Sequence, residues 1–139
     1  MTPSQQLILA CASLATLTFL VGFRLMFVRV GEMKSRRIHI QSVALSAQSA
    51  AAYEDTRASD NYKHLFEQPV LFYALCAMAV ASSNIPGWLT IGAWAYVALR
   101  VIHTFIQCGY NKVMHRFYAF VASYLLLFAM WIGLAISLF

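Results

Sequence analysis

Four long apolar stretches, set off by short polar joints, dominate the chain. They run approximately over residues 7–30, 58–82, 88–109 and 117–139. Each is near the ~20 residues that cross a hydrocarbon layer of ~30 Å at ~1.5 Å per residue. The pattern predicts an all-α polytopic membrane protein, a four-transmembrane-helix bundle forming one domain over 1–139. The joints are VGEMKSRRIHIQS, a polar loop, then SSNIPG, whose Pro86 and Gly87 stop a helix, then GYNKVMHR. The opening stretch is too long for a signal peptide and has neither a basic n-region nor a small-residue cleavage site. No internal repeat or low-complexity tract is present.

The two middle stretches carry polar residues at helical spacing. At about 100° per residue, and with Arg57 as origin, Asn61, His64, Asp60, Glu67 and Gln68 fall near 40°, −20°, −60°, −80° and 20°. These six side chains form one stripe on the second helix. Lipid cannot cover it, because a charge at the bilayer centre costs at least ~2.5 kcal/mol. For Glu54, Asp55 and Lys63, simple solvation beyond the membrane is the plainer reading. Arg57, Asn61, His64 and Glu67 suit either a ligand site or hydrogen bonds between helices. Pro69 removes a backbone donor and is expected to kink the helix beside them. On the third helix Arg100, His103, Thr104, Gln107 and Asn111 recur at i, i+3, i+4, i+7 and i+11, again on one face. Arg100 sits about 18 Å from the start of its helix. Glu67 is the expected partner for it, either in a functional site or as a structural pair.

Composition agrees with membrane immersion: the 139 residues are 61% hydrophobic and 11% charged, against about 25% charged in soluble domains. A net charge of +5 is compatible with a nucleic-acid partner, but its distribution points elsewhere. With four spans drawn, all ten Lys and Arg gather on one side, in the first-to-second and third-to-fourth loops and the adjoining helix halves. Positive loops stay cytoplasmic, so both termini are expected on the non-cytoplasmic side and no nucleic-acid partner is needed. Cys11, Cys76 and Cys108 are widely spaced in or beside apolar segments. They form neither a disulfide framework nor a metal-ligand pattern, and no metal is expected.

DNYKHLFEQPVLFYAL and RVIHTFIQCGYNKVMHR, taken together over a four-span chain, resemble the MAPEG family, the membrane-associated proteins of eicosanoid and glutathione metabolism. The first run is similar to the second-helix signature of bacterial members. The second is similar to the third-helix signature of microsomal prostaglandin E synthase, with its Arg-x-x-His and a later Arg at the head of helix four. The resemblance implies a homotrimer that binds glutathione as co-substrate between subunits and receives a lipophilic substrate from the membrane lipid. It assigns Arg116 to thiolate stabilisation, the catalytic role, and Arg57, Asn61, His64, Glu67, Arg100, His103 and Gln107 to the glutathione site. His64 stands where the family commonly has Asn, and an alternative register pairs Arg57 with Asn61 and puts His64 on the Glu position. Gln107 stands where catalytic members commonly have tyrosine. Three activities stay open: a glutathione-dependent transferase or peroxidase, a non-catalytic lipid-binding or scaffold protein, and a small transporter.

Overall fold

A computed structural model describes residues 1–137, so the last two residues of the fourth expected span, 138 and 139, lie outside the described residues. Five helices follow one another: α1 (Pro3–Ser35), α2 (Ser46–Ala52), α3 (Arg57–Ala81), α4 (Gly87–Cys108) and α5 (Val113–Ser137), with a 3-10 turn at Ile40–Val43. There is no strand among the described residues. Helices α1, α3, α4 and α5 are each long and apolar enough to cross a membrane.

The opening of α1 is fixed by its sequence. The Gln5 amide N–H donates to Thr2 Oγ1 at 3.3 Å, the Thr2 N–H donates to Gln5 Oε1 at 2.9 Å, and Pro3 occupies the first turn, where no backbone donor is needed. At its other end α1 continues to Ser35 instead of stopping near residue 30. Half of the expected polar loop is therefore helix. VGEMKS contains no proline, and the helix ends only before Arg37, which has φ 52°. The rest of that connection folds back as the 3-10 turn and α2.

Helix α4 packs most extensively on α5, and α1 on α3. Leu7, Leu14, Phe72, Leu75, Leu89, Tyr96, Leu127 and Leu134 form the apolar core, and Phe72 stacks on Tyr96 with ring centroids 4.6 Å apart. Gly133 allows α5 to approach α4 closely, since a Cβ there would meet Trp88 Cη2 at 2.7 Å. The outward faces carry Phe19, Phe27, Ile91, Phe105 and Phe128, all exposed, as suits helices surrounded by acyl chains.

The two ends of the bundle differ. At the end with both termini, Asn84 Nδ2 donates to the Ser137 carbonyl at 2.9 Å and ties the α3–α4 turn to α5. At the opposite, basic end two arginines satisfy the C-terminal carbonyls of α4: Arg24 Nη2 donates to Cys108 O at 2.7 Å and Arg57 Nη1 to Gly109 O at 2.8 Å. Cations there also complement the negative end of the helix dipole. Arg57 is in turn gripped by Asp55, with Nε–Oδ1 at 2.8 Å and Nη2–Oδ2 at 2.9 Å.

This latch gives a pH dependence. The Arg57 hydrogen bond holds the Asp55 carboxyl below its usual value of 3.8. A depressed carboxylate contributes stability that is complete above its unfolded value and is lost as pH falls through the folded one. Acidification from about pH 5 to about pH 3 should therefore lower the thermal midpoint of the wild type more than that of Asp55→Asn. Equal losses in the two proteins, followed by circular dichroism in detergent, would rule out the latch as a contributor.

Candidate functional site

Helix α3 divides its polar stripe between two directions. Gln68 and Asn61 turn inward and are buried, whereas Glu67, about 100° away from Gln68 on the helix, stands on the flank with its side chain 64% exposed. Helix α4 turns its whole stripe inward: Arg100, His103, Thr104 and Gln107 are all buried, Arg100 completely. Only Asn111 leaves the row, in the turn after α4, at φ 49°.

The expected Arg100–Glu67 pair is accordingly not formed. Arg100 Nη1 donates to Gln68 Oε1 at 3.0 Å and Nη2 to the His64 carbonyl at 3.2 Å. Ser123 of α5 donates to the same Gln68 oxygen at 3.2 Å. The reason is rotational and energetic. Once Gln68 faces the bundle, Glu67 cannot, and burying a neutral amide demands less desolvation than burying a carboxylate. The bond to His64 O falls one residue before Leu65, whose carbonyl Pro69 leaves without its helical donor. Arg100 thus braces the part of α3 that presents His64.

Glu67 bonds instead to its own helix neighbour, with His64 Nδ1 to Glu67 Oε2 at 2.9 Å. His64 lines an open cleft of about 200 Å³ with His103, Val113, Arg116, Phe117 and Phe120. The two imidazole rings lie edge to face at 6.0 Å, and each is 6.2 Å from the Phe120 ring. Arg116, in the first turn of α5, uses Nη1 to donate to Asn111 Oδ1 at 3.1 Å. Its remaining donors have no protein acceptor among the described residues. A guanidinium, two imidazoles and two phenyl rings thus meet at the basic end of the bundle, an arrangement suited to an anion with an apolar neighbour.

The other expected site residues lie behind or beside this cleft. Arg57 is engaged at the end of α4 by Asp55 and Gly109. Asn61 donates to Cys108 Sγ at 3.5 Å inside the bundle. Gln107 is buried, and neither of its amide atoms has a hydrogen-bond partner. Asn61 Oδ1, Arg100 Nε, His103 Nδ1 and Thr104 Oγ1 are likewise buried without one. So many buried polar atoms in an otherwise apolar bundle weaken it, and they make this seam the chemically distinctive part of the molecule.

Two members of the seam escape a search by charge. Gln68 lies on the stripe but is neutral beside the more conspicuous Glu67. Ser123 sits alone in an apolar run, yet it is seven residues after Arg116 and so on the same face of α5, near −20°. That spacing is the signal that would have found it. Among the described residues no group of His, Cys, Asp and Glu has the arrangement of a metal site.

Four membrane-length helices around a buried polar seam, with an arginine-lined cleft at one end, define an integral membrane protein of the helical-bundle class. More particularly, the chain belongs to the MAPEG family, whose family model matches residues 7–136. The family is one of membrane proteins related to glutathione and eicosanoid metabolism. No curated protein and no solved structure matches it.

Proposed function

We propose that this protein binds glutathione at the His64–His103–Arg116 cleft and activates its thiol against lipophilic electrophiles, as a transferase or peroxidase. The observation that carries the reading is Arg116, a guanidinium with spare donors opening between aromatic rings in a protein of this family. A thiol with an ordinary pKa near 8.5 has to lose its proton at neutral pH to attack carbon or a peroxide oxygen. A fixed positive charge favours the thiolate, and the N-terminal end of α5 adds to it. His64 and Glu67 are suited to the peptide's ammonium, and His103 lines the cleft floor. Arg57, Asn61 and Arg100 hold the surrounding helices from behind, and Gln107 lies buried in the same seam. The electrophile enters from the bilayer along Phe117 and Phe120.

In this reading the protein works as a homotrimer. Glu67 lies about 15 Å along α3 from Arg57, at the depth of Arg100, and its exposed carboxylate is too costly to face lipid. The cleft of one chain is also smaller than the ~300–1,000 Å³ of usual ligand sites. A neighbouring subunit covering that flank resolves both. The basic end faces the cytoplasm, with both termini on the opposite side, in accord with the rule for positive loops.

The test is calorimetric titration of detergent-purified protein with glutathione, on a preparation whose protein mass is established by light scattering. Saturable binding to a particle of three chains is expected. No heat of binding at millimolar glutathione would end the proposal. A second reading, a non-catalytic lipid-binding member, is favoured by Gln107, which lies in the seam and brings no tyrosine hydroxyl to the cleft. Binding of a fatty acid, without glutathione-dependent turnover of a chloronitrobenzene or hydroperoxide, would decide for it.

A further inference from the structure

Folding brings two of the three cysteines together. Cys11 is on α1 and Cys76 on α3, far apart in sequence, and both are free thiols. The two helices run antiparallel, and two contacts fix how they meet. Gly22 of α1 lies against the Tyr62 ring of α3, where a Cβ would come within 3.1 Å. At about 100° per residue, Cys11 falls about 20° from Gly22 and Cys76 about 40° from Tyr62, so both cysteines lie on the facing sides. Arg29 Nη2 donates to Ser59 Oγ at 3.3 Å. Cys11 lies about 27 Å before Arg29 and Cys76 about 26 Å beyond Ser59, which sets them at one level. Their thiols are within hydrogen-bonding reach of each other. Ala10 and Ala79, both fully buried, are small enough to let the helices approach closely there.

The surroundings make the two thiols unequal. Cys76 is buried in the apolar core, whereas Cys11 packs against the edge of that core and is partly exposed. Cys11 stands about 12 Å along α1 from Pro3, and Cys76 about 8 Å from the end of α3 at Ala81. The pair is therefore at acyl-chain depth, in the half of the bundle with both termini and away from the Arg116 cleft. A protein oxidant does not reach that depth, but a hydroperoxide carried on a lipid chain does. An accessible thiol beside a buried second one is the arrangement in which a first oxidation product is trapped as a disulfide.

We propose that Cys11 and Cys76 form a reversible α1–α3 disulfide by reducing a lipid hydroperoxide of the surrounding bilayer. Cys11 Sγ attacks the terminal peroxide oxygen and the O–O bond breaks. The departing alkoxide takes the Cys11 proton and leaves as an alcohol, so Cys11 becomes a sulfenic acid. Cys76 Sγ then displaces that hydroxyl: the S–O bond breaks, the S–S bond forms, and the hydroxyl leaves with the Cys76 proton as water. The two sulfurs together give up two electrons and the peroxide accepts them. The bond ties down α1, the least buried of the four spans. It is independent of the chemistry at the cleft, and its test contains no glutathione.

Detergent-purified protein is treated with a fatty-acid hydroperoxide, and its thiols are counted by alkylation and located by peptide mass spectrometry. Wild type should lose two of its three free thiols and yield one linked pair of peptides, Cys11 with Cys76, while Cys108 stays open to alkylation. Its thermal midpoint should rise on oxidation and return with dithiothreitol, because the closed loop restricts the unfolded chain. Cys76→Ala should stop at a Cys11 sulfenic acid that dimedone labels, and Cys11→Ala should leave Cys76 reduced. Circular dichroism checks that each variant keeps its helices, and the wild-type peptide map decides alone where one does not. Retention of all three thiols in the wild type would overturn the assignment. So would oxidation of Cys108 ahead of Cys11, or a Cys11 linked to a neighbouring chain instead of to Cys76.

Discussion

Replacing Arg116 by alanine is expected to remove the ultraviolet thiolate absorbance that glutathione develops on binding at neutral pH. It is also expected to lower conjugation roughly 10²–10³-fold, the usual consequence of deleting one preorganised donor to a developing or stabilised anion. The half-buried Arg116 makes one side-chain hydrogen bond, to Asn111, so its loss should leave helix content and thermal midpoint nearly unchanged. Binding of glutathione itself should weaken far less than turnover, because the carboxylates and ammonium of the peptide keep their own contacts. Arg116→Lys should restore part of the thiolate signal, since it returns the charge without the planar fork. Retention of full thiolate absorbance in Arg116→Ala would move the activating charge elsewhere. If absorbance is lost in all variants and in wild type alike, the non-catalytic reading takes over.

The membrane class was legible because hydropathy and helical period speak directly to length and burial. Four spans, a polar stripe on each middle helix and one-sided basic residues needed nothing beyond spacing. The inward direction of the α4 stripe was readable too, since Arg100, His103, Thr104 and Gln107 share a face that lipid cannot wet. What spacing left open was rotation. On α3 the stripe is wider than the seam can accept, so packing admits Asn61 and Gln68 and turns Glu67 outward; no property of the sequence taken one helix at a time fixes that choice. The role of Arg57 was obscured for a related reason. Its three contacts run to Asp55, two residues earlier, and to Gly109, on a helix end that comes near only after folding. Ser123 was unreadable as a partner of Gln68 until α5 had a position, although its spacing from Arg116 marked the face. The folding back of residues 36–56 depends on contacts such as Glu32 accepting the N–H groups of Glu54 and Asp55, both at 2.9 Å, which hydropathy does not register.

The choice between Gln68 and Glu67 as the partner of Arg100 can be settled by stability. Gln68→Leu leaves a fully buried guanidinium with only the His64 carbonyl, and strands Ser123 with its local bond to Phe120 O. Removing one partner of a buried charge costs about 3–5 kcal/mol, most of it the uncompensated charge. The midpoint of unfolding in a denaturing-detergent titration should fall accordingly. Gln68→Glu replaces a dipole with a full counter-charge at the same place, so the pair becomes neutral and stability should be kept or raised. Glu67→Gln keeps an acceptor for His64 and should stay within about 1 kcal/mol of wild type. The opposite pattern, a harmless Gln68→Leu beside a damaging Glu67→Gln, would mean that Arg100 reaches outward to the carboxylate. The difference matters beyond stability. An arginine held by Gln68 and by the His64 carbonyl fixes the backbone that carries His64, so Gln68→Leu should also weaken glutathione binding although Gln68 does not line the cleft.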